Sequence, residues 1–270
     1  MASSTSYLSV CEQAAKAGGS VLREMLGTVS VKHKKNRFDL VTEADVAAQN
    51  TIKSIVLGAF PDHQFLGEES TAEERTNAVE AAAGREAAKR TWIVDPLDGT
   101  TNYVHGVPLF CTSIALAEGN DLLCGVIYNP LTEELYRAEK GGGAFLNGNP
   151  VHTSSWTTLG ESLASVSFPT LMTPQTPDYL AFQKAVLVCQ AIRRTGSTAL
   201  NLAFTAAGRF DATWAFSCHP WDIAAGTLLV QEAGGIVRLP NGVLNDPSPV
   251  CACANEFIDR ELETVLGKSF

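Results

Sequence analysis

The chain has 270 residues, enough for one large domain or two fused subdomains around a sizeable core. Apolar residues make up 45% and charged residues 18%, an ordinary globular balance. A net charge of -9 and a pI of about 5.1 exclude a general nucleic-acid binder, which needs a strong basic field. The seven cysteines are odd in number, show no C-x-x-C spacing and sit in apolar runs such as Phe110-Cys111 and Leu123-Cys124. They read as buried free thiols in a reducing, cytoplasmic compartment. No apolar run approaches the ~20 residues of a membrane span, and the first residues lack a secretory leader's basic and apolar regions. No membrane partner is expected.

In chain order, residues 6–26 read as a helix with Leu8, Cys11, Ala15, Leu22 and Met25 near one face. Residues 31–41 look extended and carry the basic cluster Lys32-His33-Lys34-Lys35-Asn36-Arg37, which reads as a solvated loop. Thr42 caps a second helix, with Asp45 at the capping-box position and Ala48, Ile52, Ile55, Val56 and Ala59 as its buried stripe. Gln64-Phe65-Leu66 is a short strand running into Gly67-Glu68-Glu69-Ser70. Residues 72–90, rich in Ala, Glu and Arg, read as an exposed helix or mobile arm without chemistry of its own. Trp92-Ile93-Val94 is a short buried strand. It breaks at Asp95-Pro96 and again at Asp98-Gly99, possible helix-opening turns followed by Thr100 and Thr101.

Strands follow at Leu109–Ala117, Leu122–Tyr128 and Glu134–Glu139. The run Gly141–Gly148 fits neither G-x-G-x-x-G nor a P-loop and reads as a tight hairpin. The second half alternates: helix 177–189, strand 190–194, helix 197–208, strand 211–216, helix 221–233, strand 235–239. Cys251-Ala-Cys253 reads as strand packing. The expected organisation is an α+β subdomain over residues 1–150, holding most of the acids, and an α/β subdomain over 151–270, joined in one compact unit.

The acids are distributed with a common design. Glu68-Glu69 ends a strand, Asp95 and Asp98 end another, and Asp222 follows Pro220-Trp221 at a helix start. Singly, each has a bland reading: a solvated turn, or an aspartate that favours its helix N-terminus by ~0.3–1 kcal/mol. Together they form an oxygen-only set suited to Mg²⁺ or Mn²⁺ beside a phosphate. The five histidines form no zinc-type pair, His219 beside Trp221 reads as packing, and no G-x-S-x-G elbow is present.

Three separated motifs, Gly67-Glu68-Glu69-Ser70, Asp95-Pro-Leu-Asp-Gly-Thr-Thr101 and Trp221-Asp222-Ile-Ala-Ala-Gly226, resemble those of the inositol monophosphatase family in order and spacing. So do the lesser motifs Asp39–Asp45, Gly143–Gly148 and Arg194–Ala199. The resemblance spans nearly the whole chain. It implies a layered αβαβα sandwich, a homodimer, and a lithium-sensitive, Mg²⁺-dependent phosphatase acting on a small phosphorylated substrate. By the resemblance, Glu68, Asp95 and the Leu97 carbonyl would hold one Mg²⁺, and Asp95, Asp98 and Asp222 a second. Glu69 would serve a weaker third ion. The amides of Gly99 and Thr100 would take the phosphate, and Thr100 with Asp45 would serve the attacking water. Gly196, Ser197 and Thr198 would lie near the substrate.

One position departs from the family. Where inositol-preferring members carry a Glu seven residues before the Asp of the Trp-Asp motif, this chain has Ala215. Alanine cannot accept hydroxyl hydrogen bonds, and each one lost to a charged acceptor costs ~1.5–3 kcal/mol. The neighbouring Trp214 and Phe216 would suit a flatter or less hydroxylated substrate. Inositol 1-phosphate leads; histidinol phosphate, fructose 1,6-bisphosphate and a 3′-phosphonucleotide stand as alternatives. Two rival classes compete. A haloacid-dehalogenase-type phosphatase needs Asp-x-Asp-Gly-Thr, whereas the spacing here is Asp-x-x-Asp-Gly-Thr. A non-catalytic metal-binding module would not need the full set of Glu68, Asp95, Asp98, Thr100 and Asp222.

Overall fold

The computed structural model describes residues 6–28, 30–33, 40–82 and 90–267. Residues 34–39, which include most of the basic cluster and Asp39, and residues 83–89 of the Ala/Glu-rich stretch lie outside it.

Helix α1 (Tyr7–Met25) starts at Ser6, whose hydroxyl accepts from the Ser9 amide at 3.1 Å. A small antiparallel ribbon, β1 (Val31–His33) and β2 (Leu40–Thr42), leads into α2 (Glu43–Ala59). The capping box at its start is formed: the Ala44 amide donates to Thr42 Oγ1, and the Thr42 amide donates to Asp45 Oδ2 at 2.8 Å. Then come β3 (Gln64–Gly67), α3 (Ala72–Ala82), β4 (Arg90–Asp98) and the short α4 (Thr100–Val104). A meander follows: β5 (Cys111–Glu118), β6 (Asp121–Asn129), β7 (Glu134–Glu139), β8 (Gly143–Leu146) and β9 (Asn149–Pro150). Strands β3 to β9 make one sheet in sequence order, with β3 and β4 parallel and the rest antiparallel.

The remaining elements are β10 (Leu163–Val166), α5 (Pro177–Ala185), β11 (Ala191–Arg193), α6 (Thr198–Ala206), β12 (Ala212–Cys218), α7 (Pro220–Glu232), β13 (Ile236–Arg238), β14 (Ser248–Cys253) and α8 (Glu256–Leu266). Their strands form a second sheet ordered β11-β10-β12-β14-β13.

Strand alternation sorts the side chains into layers. On β4, Trp92 and Val94 face α1 and α2, packing with Val10, Ala14, Ile52 and Val56. Ile93 faces the opposite way, into a core shared with α6, α7 and the second sheet's Val250 and Ala252. The far face of that sheet, through Trp214, Cys251 and Cys253, packs on α5 and α8. The result is the expected αβαβα sandwich. The middle helical layer is tight: a Cβ at Gly226 would lie 2.4 Å from Leu202 Cβ, so only glycine lets α7 approach α6 this closely. The seven cysteines are free and buried, as expected.

Some elements differ from the sequence reading. Strand β10, with its small Leu-Ala-Ser-Val run, and helix α8 were not expected. Helix α5 ends at Ala185 instead of residue 189, the chain turning through Val186–Gln190. Ala59, expected in the buried stripe of α2, is exposed at the helix end. Among the described residues, no helix is long and apolar enough to cross a membrane.

Candidate active site

Strand β4 carries its last residues out of the core regularity. The β4–β5 register shifts between Asp95 and Asp98, so the strand kinks where its acids begin. The Leu97 amide donates to Asp95 Oδ1 at 2.9 Å, which holds the carboxylate against its own turn. Gly99 then adopts φ 95°, and a Cβ there would lie 2.7 Å from the Leu109 carbonyl oxygen; both facts demand glycine. Thr100 opens α4, and its hydroxyl donates to the Leu97 carbonyl at 3.2 Å and to Asp45 Oδ1 at 3.4 Å.

Parallel pairing of β3 with β4 brings the Glu68-Glu69 turn beside this kink, with the Glu68 amide donating to the Val94 carbonyl. The Glu69 amide donates to Gln49 Oε1 of α2 at 2.8 Å. Asp222 lies in the first turn of α7, where its Oδ2 accepts from the His219 amide at 2.8 Å. The His219 ring stacks on Trp221 at 4.8 Å, as a packing residue, and pairs with Asp246.

Asp98 spans two elements. Its Oδ2 accepts from the Ser197 hydroxyl and, at 2.7 Å, from the Ala199 amide, while Oδ1 accepts from the Thr198 amide at 3.3 Å. The end of β4 is thereby tied to the start of α6, and the Gly196-Ser197-Thr198 segment stands next to the acids. Gly196 (φ 86°) packs on Asn102, whose amide donates to the carbonyls of Leu109 and Thr195. The thiol of Cys111 lies 3.9 Å from Asp98 Oδ2, and burial pushes it well up.

The electrostatics show that the acids share one field. Burial pushes Asp95 well above the carboxylate range, and the charges of Glu68, Asp98 and Asp222 push it further. Asp222 is raised to about 7 by burial, with His219 opposing and Asp98 and Glu68 adding. Asp98 is raised to about 6 by burial, against its hydrogen bonds from Ser197, Ala199 and Thr198. Asp45, fully buried, is raised to about 7 by burial, with the charges of Glu68 and Glu69 contributing. Burying several carboxylates together is unfavourable unless protons or a cation neutralise them. The donor set therefore fits a hard divalent cation, whose oxygen ligands are carboxylates and carbonyls. Among the described residues, no three His, Cys, Asp or Glu side chains stand in closed ligating geometry.

Beside the acids opens a cavity of about 610 Å³, lined by Asn102, His105, Ser167, Phe168, Arg194 and Thr198 among others. Ser167 accepts from the Thr198 hydroxyl at 2.9 Å, and the Arg194 guanidinium lies 5.2 Å from the Phe168 ring centre. Sequence reasoning passed over His105, Ser167 and Phe168, which carry no motif signal; Asn102 continues the Asp-Gly-Thr-Thr run and was legible. Ala215 is not at this surface. It is 2% exposed, within the core between α6, α7 and the second sheet. Trp214 corrects an expectation: fully buried and facing α5 and α8, it is turned away from any substrate by the alternation of β12. Phe216 packs on that same outer core.

A sequence profile of the inositol monophosphatase family matches residues 4–267. The chain belongs to that family. It is 39% identical over 270 residues to an inositol-1-monophosphatase of Mesorhizobium japonicum, covering 98% of this chain and 97% of that one. It is 40% identical to inositol monophosphatase 2 of Solanum lycopersicum, over 87% and 88% of the two chains. Among solved structures, the extragenic suppressor protein suhB of Bartonella henselae superposes with a TM-score of 0.84 at 34% identity, covering 97% and 98%. The protein is thus an enzyme of the phosphatase class, an Mg²⁺-dependent phosphomonoesterase acting on a small phosphorylated polyol.

Proposed function

We propose that the protein hydrolyses inositol 1-phosphate, with the acids around β4 as its chemical centre and the adjoining cavity receiving the alcohol. The observation that carries this reading is the shared field: Asp95, Asp98, Asp222 and Glu68 act on one another although they come from β4, α7 and the turn after β3. Glu68, Asp95 and the Leu97 carbonyl would hold one Mg²⁺, Asp95, Asp98 and Asp222 another, and Glu69 a weaker third; Mn²⁺ fits the same donors. Bound there, Mg²⁺ would supply charge neutralisation of the phosphate and a lower pKa for the attacking water.

The chain's own residues do the rest. The amides of Gly99 and Thr100 present donors to the phosphate oxygens. The Thr100 hydroxyl orients the water, and Asp45 behind it, raised to about 7, accepts a proton near neutral pH. The leaving alcohol lies toward Gly196, Ser197 and Thr198, with Asp98 and Asp222 at its edge. Ala215, buried in the core, presents no acceptor to the polyol, and among the described residues no carboxylate lines the cavity to grip its hydroxyls, so selectivity among small phosphates is relaxed.

A phosphate-release panel with Mg²⁺, with and without lithium, tests this. It contains inositol 1-phosphate, histidinol phosphate, fructose 1,6-bisphosphate and adenosine 3′,5′-bisphosphate. Expected are lithium-inhibited release from inositol 1-phosphate and measurable release from at least one other. A preference for inositol 1-phosphate of tenfold or more would sink the relaxed selectivity, and no release from it would sink the substrate assignment. The reading extends to a homodimer. The exposed apolar stretch Val186-Leu187-Val188, with Leu187 84% exposed, supports a covered surface. Sedimentation velocity giving a monomer at micromolar concentration would remove that part.

A further inference from the structure

Helix α3 lies outside every motif, in the stretch expected to carry no chemistry. Its first turn nevertheless reaches the acids. Arg75 Nε donates to the Ser70 carbonyl at 3.1 Å, and Arg75 Nη2 donates to the Glu68 carbonyl. The same guanidinium lies over the Trp221 ring, 4.9 Å from its centre. Trp221 is 2% exposed and immediately precedes Asp222. One planar cation therefore touches the turn that carries Glu68 and Glu69 and the residue next to Asp222, two acid-bearing segments far apart in sequence.

The turn of α3 that presents Arg75 is itself fixed. The Thr71 amide donates to Glu74 Oε2 at 2.8 Å, and the Glu74 amide donates back to Thr71 Oγ1 at 3.2 Å. Lys53 of α2 pairs with Glu74 at 2.9 Å, and Ala78 one turn later is buried in the central core. From the other side, Gln49 of α2 holds the Glu69 amide. The turn is thus clamped between α2 and α3.

We propose that Arg75 is a positioning residue that sets the spacing between the Glu68-Glu69 turn and Asp222, and through it the affinity of the acids for Mg²⁺. The inference rests on the assignment of those acids as metal ligands. Both hydrogen bonds end on backbone carbonyl oxygens, so they act on where the carboxylates stand. The planar fork reaches two carbonyls while its face covers an indole; a lysine ammonium, a point donor on a flexible stem, does neither together. Residues that orient ligands commonly change metal affinity 10–100-fold when removed.

The test is calorimetric titration of Mg²⁺ into the full chain as wild type, Arg75→Ala, Arg75→Lys and Asp95→Asn. Thermal melts without Mg²⁺ run alongside. Arg75→Ala is expected to weaken Mg²⁺ binding about 10- to 100-fold. It should raise the half-saturating Mg²⁺ for phosphate release by more than it lowers kcat. Arg75→Lys should recover less than half of the lost affinity on a logarithmic scale. A folded Arg75→Ala that binds Mg²⁺ within about twofold of wild type overturns the proposal, as does full recovery by lysine. If Arg75→Ala does not fold, Arg75→Gln, which keeps one amide donor for the carbonyls, is read by the same criteria. Asp95→Asn separates the two levels: unweakened Mg²⁺ binding there rejects the ligand assignment, whereas weakening there without weakening in the Arg75 variants rejects only the clamp.

Discussion

The two halves of the cleft are built by different means. In the acid half, each side chain is set by the backbone of a regular element: Asp95 by its own turn at the kink of β4, Asp222 by the first turn of α7, Asp45 by a capping box on α2. The acids are crowded, largely buried and raised by burial and by one another. The cavity half is roomier and lined from loops and element ends, with Ser167, Phe168 and Arg194 held by side-chain contacts. Strong like charge held by rigid backbone builds a site for one chemistry. A polar cavity walled by loop residues tolerates changes of alcohol.

If this contrast is right, substitutions in the acid half should alter the rate and those in the cavity half should alter selectivity. Asp95→Asn should abolish Mg²⁺-dependent phosphate release, by about a thousandfold or more, as the loss of several kcal/mol of charge stabilisation dictates. Steady-state assays at saturating Mg²⁺ measure it, and a loss under tenfold contradicts the assignment. Thr100→Val removes the hydroxyl between Leu97 and Asp45 and should lower kcat about a hundredfold with little change in KM, within the range of general acid–base effects. Arg194→Ala, in the cavity half, should act in the opposite sense: KM changes a few-fold, differently for different substrates, and kcat stays nearly constant. A hundredfold loss of kcat there would erase the distinction between the halves.

The acid half also predicts a pH dependence of stability. Asp45 and Asp222 move from 3.8 to about 7, and Asp98 to about 6. A carboxyl group whose pKa is higher folded than unfolded binds its proton more tightly in the folded state. Its contribution is fully present below pH 3.8 and drains as pH rises toward 7. Without Mg²⁺, urea melts should therefore show this part of the stability falling between about pH 4 and pH 7. Glu74 and Glu134, which are lowered, act in the opposite direction but below their ordinary value of 4.5, and His63, lowered by burial and by Arg90, opposes the fall only below about pH 6.5. Added Mg²⁺ should flatten the fall; an Mg²⁺-free stability that rises from pH 5 to 7 would contradict the buried field.

The same contrast explains what the sequence made legible. The acid half was readable because its geometry is local: Thr42 with Asp45, Asp-Pro and Asp-Gly at a strand end, Pro-Trp-Asp at a helix start. The layered fold was implied by the family resemblance, while helix stripes such as Ile52 and Val56 and the alternation of the second half showed only single elements and an α/β rhythm. Strand β10 was invisible because Leu163-Ala-Ser-Val166 is too short and small to show a period. Helix α8 was legible in hindsight: Asn255 caps it, and Ile258, Leu262 and Leu266 repeat every four residues on its buried face. The cavity half was largely hidden, since Ser167 and Phe168 meet His105 only through tertiary folding. Ala215 shows the converse error, a position whose sequence spacing pointed to substrate while burial placed its methyl in the core. Arg75 was missed because an Arg in an Ala/Glu-rich helix looks like any solvated charge.

The carboxylates of β4, α7 and the turn after β3 would form one divalent-cation site, its acids sharing protons when the cation is absent. Calorimetric titration of Mg²⁺ at pH 6.5, repeated in buffers of different ionisation enthalpy, tests it most directly. Mg²⁺ binding is expected to release protons from the wild-type protein, to tighten as pH rises toward 7.5, and to be lost in Asp95→Asn. Mg²⁺ binding with no proton release, or binding of equal strength in Asp95→Asn, would contradict it.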